Sequence, residues 1–209
     1  DSVWIAFALV FVVALFAGFS YAELSSIFPK AAAEYVFIKN AFKNNFFAFL
    51  IGWLTAVTSI ITAATVALGF GGYFAEFVNI PIIISAIGLL VILSIVNFVG
   101  IRESAWTNTV FTIIEASGLI LIIIIGFTFA NPEPVNYYES PSGFSGIVIA
   151  FVLIFFAFIG FEDLANIAEE VNKPKKTLPK AISISVVIAG ILYVLVSLAV
   201  VSVVNWERL

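Results

Sequence analysis

The chain has 209 residues, 63% of them apolar and only 11% charged, with a formal net charge of −4. A soluble domain runs nearer ~45–50% apolar and ~25% charged, and a mean hydropathy of +1.19 marks more apolar surface than a core of this size can hide. Cys, His and Met are all absent, which excludes disulfides, thiolate nucleophiles and the commonest general base and metal ligand.

Six apolar runs follow one another, at about 3–22, 46–72, 80–99, 109–130, 145–171 and 181–204. About 20 apolar residues cross a ~30 Å hydrocarbon layer, so six transmembrane helices are predicted. Continuous runs without alternation exclude a β-barrel. The expected fold is all-α, a single polytopic membrane bundle. The glycine cluster Gly69–Gly72 reads as the outer end of the second helix. The chain opens on Asp1 rather than Met, and its first run starts almost at once. It therefore reads as a central fragment of a longer protein.

Basic residues set the orientation. Lys30, Lys39 and Lys43 lie between runs one and two, Arg102 between three and four, and Lys173, Lys175, Lys176 and Lys180 between five and six. The opposite loops, 73–79 and 131–144, hold Glu76, Glu133 and Glu139 and no basic residue. Loops 23–45, 100–108 and 172–180 are therefore expected in the cytoplasm of a multi-pass plasma-membrane protein. The 172–180 lysines read first as orientation determinants and second as contacts for anionic headgroups. Glu169 and Glu170 are expected to pair with them. Pro174 and Pro179 read as ending one helix and starting the next, and Asn131-Pro132-Glu133-Pro134 as a stiff outer turn.

The fifth run is unlike the others. It is apolar from Gly146 to Phe161, then turns acidic at Glu162 and Asp163. A carboxylate at mid-membrane costs ~2.5–3.5 kcal/mol on insertion scales, and two adjacent ones argue against a continuous lipid-facing helix. A break near residue 160 relieves the conflict. Gly160 can take the left-handed conformation that ends a first half-helix. Asp163 is the expected N-cap of a second half, with Glu162 near its positive end. Such a break offers carbonyls at one end and N–H groups at the other, a cradle for an ammonium and a carboxylate. The plainer alternative is a continuous helix with Gly160 at a packing contact.

Two further places carry polar groups at membrane depth. Glu115, in TNTVFTIIEASGLILIIIIG, has no basic residue within one helical turn. An intramembrane carboxylate is a functional position by default, so Glu115 is a candidate proton carrier; the alternative is a neutral carboxyl bonded to helix backbone. Thr55, Thr58, Ser59, Thr62 and Thr65 mark one face of the second span. With Ala63 and Gly69 that stripe reads first as close helix packing and second as the lining of a solute path.

The stretch FAFIGFEDLANIAEEVNKPKKTLPKAI from Phe156 to Ile182 resembles the signature of amino acid permeases of the amino acid–polyamine–organocation superfamily. Three blocks agree in order and spacing: YAELSSIFPKAAAEYVFIKNAF from Tyr21, Gly52-Trp53, and NFVGIRESAWTN from Asn97. The resemblance implies that the six spans match helices two to seven of a twelve-helix transporter with a LeuT-like inverted-repeat core. It implies that the backbone at Phe156, Ile159 and Gly160, with Phe161 and Glu162 adjoining, binds the α-amino end of the substrate. Phe156 falls at an aromatic gate position, and Glu162 at an acidic position used in proton-sensitive or gating networks. Thr58, Ser59 and Thr62 fall nearest the pocket. Some proton-coupled relatives place a Lys where this chain has Glu115, so a lysine mechanism does not transfer.

The leading expectation is a secondary active transporter of amino acids or related amines working by alternating access. Coupling would be to a proton, to sodium, or to exchange; no cofactor, metal or nucleic acid is implied, and oligomeric state is not encoded legibly. The alternative is a channel-like or receptor-like protein using the break as a static site. A membrane enzyme is disfavoured because Glu115, Glu162 and Asp163 form no metal-ligand pattern.

Overall fold

The computed structural model of the chain describes residues 2–130, 135–140 and 142–203. The expected turn Asn131-Pro132-Glu133-Pro134, the end of the sixth run at 204 and the side chain of Arg102 lie outside the described residues. Those described form eight α-helices and no strand: α1 (Val3–Ile27), α2 (Ala33–Phe42), α3 (Asn45–Ala75), α4 (Ile82–Val99), α5 (Ile101–Thr128), α6 (Gly143–Phe155), α7 (Asp163–Asn166) and α8 (Pro174–Val203). Six segments are long and apolar enough to cross a membrane: α1, α3, α4, residues 104–128 of α5, residues 143–166, and α8. The 25 residues of α1 rise about 38 Å at 1.5 Å each, more than the hydrocarbon layer requires. The protein is an all-α polytopic membrane bundle.

The contacts divide the chain into two compact units, one of residues 1–37 and 116–209, the other of residues 38–115. In the first, α1 and α8 pack antiparallel along most of their length. The buried face of α1 is Ala6, Val10, Ala14, Gly18, Ala22 and Ser25, and that of α8 begins Leu178, Ile182, Val186 and Gly190. Both rows step by about four residues, so the i±4 ridges of each helix interdigitate. Small side chains let the backbones approach. A Cβ on Gly18 would sit 2.9 Å from Val186 Cγ2, and one on Gly190 would collide with the Phe11 ring. α6 runs alongside α1 in the same direction. Its N-terminal end is fixed where Ser2 N–H donates to the Glu139 carbonyl (3.0 Å) and Trp4 Nε1 to the Tyr137 carbonyl (2.9 Å). Tyr137 Oη also bonds Ser202 Oγ at 2.8 Å, so the loop before α6 holds the start of α1 and the end of α8 together.

The second unit is built on the α3–α4 hairpin. Asn44 caps α3, its Oδ1 accepting the Phe46 N–H at 2.8 Å, as a short polar side chain at an N-cap should. The expected outer end at Gly69–Gly72 is not where α3 stops; it continues to Ala75. The reason is contact rather than capping. A Cβ on Gly71 would lie 2.5 Å from the Ile82 carbonyl oxygen, so glycine there admits the backbone of α4. Along the threonine stripe Thr55 and Thr62 are half-buried while Thr58, Ser59 and Thr65 are exposed within their unit, and Gly69 has nothing within 4 Å of a built Cβ. Gly100, at φ 155° and ψ 163°, occupies a region open essentially to glycine alone and separates α4 from α5.

Two loop expectations are corrected. The 23–45 segment is not all loop, since α2 occupies Ala33–Phe42. Pro179 does not start the last helix; it lies inside α8, which opens at Pro174. Only Pro174 stands at the first helical position, where the missing N–H has no partner to lose.

Candidate functional site

The helix that enters at Gly143 stops at Phe155. A single 3₁₀ turn, Phe156–Phe158, follows and ends at Ile159 in extended backbone (φ −66°, ψ 140°). Gly160 then takes φ +126°, which a side chain would resist. α7 resumes for one turn at Asp163–Asn166, Ile167 interrupts it, and a second 3₁₀ turn spans Ala168–Glu170. A helix has therefore been replaced by short pieces over residues 156–170. The second half is not the continuous helix expected; it is one α-turn and one 3₁₀ turn, joined by Ile167 at ψ 16°.

The acidic pair also behaves differently from expectation. Glu162, not Asp163, stands at the N-cap of α7, and it makes no side-chain bond forward into that turn. Its Oε2 turns back to accept the Gly160 N–H at 2.9 Å. The break removes the regular helical acceptor for that N–H, and a carboxylate two residues on is the nearest replacement, through a charge-assisted bond. Asp163 instead donates its backbone N–H to the Gly160 carbonyl at 3.2 Å. Glu162 has Asp163 and Glu34 as acidic neighbours.

Three aromatic contacts set the break against α1 and α8. Phe158 is 6% exposed and lies between Phe11 (centroids 6.5 Å, stacked) and Tyr193 (5.1 Å, edge to face). Phe161 meets the Tyr21 ring at 5.9 Å, nearly perpendicular. Tyr21 Oη in turn donates to Glu34 Oε1 at 3.2 Å. Phe156 and Ile159 are different: they stay 45% and 41% exposed. The first unit thus brings together Phe156, Ile159, Gly160, Phe161 and Glu162 with Tyr21 and Glu34. Thr58, Ser59 and Thr62 lie on α3 in the second unit, and Glu115, exposed on α5, is the last residue of that unit. Among the described residues no group of three acidic or other ligating side chains could hold a metal.

Sequence reasoning missed Phe158, Tyr21, Glu34 and Asn166. Phe158 is one of 23 phenylalanines and nothing in its neighbourhood marks it. Glu34 was hidden by reading its helix as loop. Asn166 carried a signal: it lies three and four residues after the two acids, on their side of a helix. Glu169 does not find the neighbouring lysines as expected; its Oε1 accepts the Ala31 N–H at 3.4 Å.

Comparison with known proteins fits this architecture. The amino acid permease family model matches residues 2–209. The branched-chain amino acid permease BcaP of Bacillus subtilis is 31% identical over 225 residues, covering 98% of this chain and 48% of its own length. Cationic amino acid transporter 4 of Homo sapiens is 30% identical over 231 residues, covering 100% of this chain and 36% of its own. The methylthioribose transporter of Bacillus subtilis is 28% identical over 225 residues, covering 98% and 48%. The chain thus spans about half the length, or less, of these curated relatives. With the family match running from residue 2 to the last residue, the chain belongs to the amino acid permease family, whose members here are named as membrane carriers rather than enzymes.

Proposed function

We propose that this chain is the central part of a secondary active transporter that carries amino acids or related amines across the plasma membrane by alternating access. The supporting observation is the interruption at residues 156–162, where an apolar helix gives way to a 3₁₀ turn, an extended residue and a positive-φ glycine. Broken helices of this kind bind solutes through half-helix ends. On this reading the backbone at Phe156, Ile159 and Gly160 receives the substrate's ammonium, with Phe161 and Glu162 adjoining. Phe156, left exposed, closes over the substrate. Thr58, Ser59 and Thr62 line its path, and loops 23–45, 100–108 and 172–180 face the cytoplasm. Substrates follow the relatives' names: branched-chain or cationic amino acids, or a small solute such as methylthioribose.

Glu115 is the proposed proton-coupling group, since an ionisable side chain within a membrane span marks ion pathways by default. The test uses the full-length protein in proteoliposomes. Loading unlabelled amino acid inside should accelerate uptake of labelled amino acid; strictly passive flux would exclude a carrier. Glu115→Gln should flatten the pH dependence of uptake, and an unchanged profile would remove Glu115 from coupling and leave sodium or exchange.

A further inference from the structure

Ala31 and Ala32, which lead into α2, carry no side-chain acceptor, so neither side chain can cap the N–H of Ala33, its first residue. The Ala33 residue is nonetheless completely buried. Its N–H is taken by Asn166 Oδ1 at 2.8 Å, from 133 residues away. Asn166 closes α7, the one α-turn that follows the break. An N-cap, ordinarily supplied by the preceding residue, is here supplied by the post-break segment.

Further contacts join the same two pieces, one directly and others shared with α1 and α8. Glu169 Oε1 accepts the Ala31 N–H at 3.4 Å. Phe37 of α2, Ala165, Ala168 and Leu178 share one buried cluster with Ala33, and Phe161 packs on it. Tyr21 of α1 bonds Glu34 while its ring meets both Phe37 and Phe161. Ala32 is held at φ +54°, a conformation alanine keeps only where its surroundings over-determine it. The start of α2 is thus held from outside its own sequence, chiefly by residues that follow the break.

From this geometry we infer that Asn166 is a positioning residue that makes the first turns of α2 and the post-break segment 163–170 move as one body. Resting on the transporter reading above, the inference makes α2 part of the moving inner end of the carrier, not a static surface helix. If the segment after the break shifted while α2 stayed, the buried Ala33 N–H would lose its acceptor and gain none. Moving together preserves the bond.

The test has two arms, both on the full-length permease in proteoliposomes, with wild-type amino acid exchange as the control. In the first, Ala31→Cys and Glu169→Cys are joined by a short bismaleimide; the described chain contributes no other cysteine. Exchange should survive the cross-link. Its loss, restored when the linker is omitted, would show that the two pieces must separate and would overturn the inference. In the second, hydrogen exchange of peptides covering 30–38 and 5–18 is followed in Asn166→Leu and Asn166→Asp. Asn166→Leu should speed exchange at 30–38 about tenfold, leave 5–18 as in wild type, and slow transport. Asn166→Asp, which keeps an acceptor, should restore both. Unchanged exchange at 30–38 in Asn166→Leu would overturn the inference, as would a loosened α2 with wild-type transport. Should Asn166→Leu fail to fold, the cross-link and the aspartate variant still decide. Failure of wild type itself to exchange amino acids would count against the transporter reading instead.

Discussion

Phe158 and Tyr193 meet edge to face, their ring centroids 5.1 Å apart at 88°. This is a favoured aromatic geometry. It fixes the 3₁₀ turn that ends α6 onto α8, while Phe11 of α1 stacks on the same ring. Two residues earlier Phe156 is 45% exposed. One break therefore carries an anchored phenylalanine and an uncommitted one. Phe158→Ala should lower stability by about 3 kcal/mol, as large-to-small changes in packed cores do. Phe156→Ala should change it by less than about 1 kcal/mol while impairing transport. Thermal unfolding in detergent, set beside exchange in proteoliposomes, separates the two.

Gly160 has open space where a Cβ would go, yet its φ is +126°. The penalty for Gly160→Ala is therefore conformational and not steric, about 1–3 kcal/mol. Transport should fall by about tenfold or more, because relief of that strain reshapes the break. A variant that melts at the wild-type temperature and transports normally would show that the positive φ is dispensable.

Glu162 Oε2 accepts the Gly160 N–H at 2.9 Å. Glu162→Gln keeps an acceptor in reach but loses its charge, and Glu162→Ala leaves the N–H without one. An unsatisfied donor costs about 1–3 kcal/mol, so stability should rank wild type, then Gln, then Ala. Equal melting of the Gln and Ala variants would mean that the bond contributes nothing.

Glycine contacts make a third contrast. A Cβ on Gly126 would stand 2.6 Å from Ala199 Cβ and 2.7 Å from its carbonyl oxygen, whereas one on Gly69 meets nothing. Gly126→Ala should destabilise by about 1–3 kcal/mol through overpacking. Gly69→Ala should stabilise α3 by up to about 1 kcal/mol through helix propensity. Melting of the two single variants and of the double, whose effects should add, checks both.

Membrane character and helix count were legible because hydropathy is a property of each run by itself. The interruption was legible for a related reason: Gly160 followed by two acids contradicts the run containing them. What the sequence concealed is relational. Glu162 satisfies Gly160 rather than α7 because an N–H two residues back lacks a partner, a fact of the broken backbone. Asn166 finds Ala33 across 133 residues, and no local pattern encodes a distance of that kind. Gly71 looked like a helix end because glycine serves both endings and close approaches; only the Ile82 carbonyl beside it tells which.

The stepped small-residue face of α1 has a consequence for biogenesis. Its partners, α6 and α8, begin only at Gly143 and Pro174. At ~5–20 residues per second, roughly 150 residues of synthesis separate α1 from α8, on the order of ten seconds or more. Throughout that interval Ala6, Val10, Ala14 and Gly18 of α1 are without α8, the helix they pack against in the folded chain. Lipid tails solvate such a face as readily as another helix would, so the waiting helix is not driven into premature association. The α3–α4 hairpin, contiguous in sequence, can close during the same interval. Within these residues the order of synthesis therefore lets the hairpin close before α1 and α8 meet.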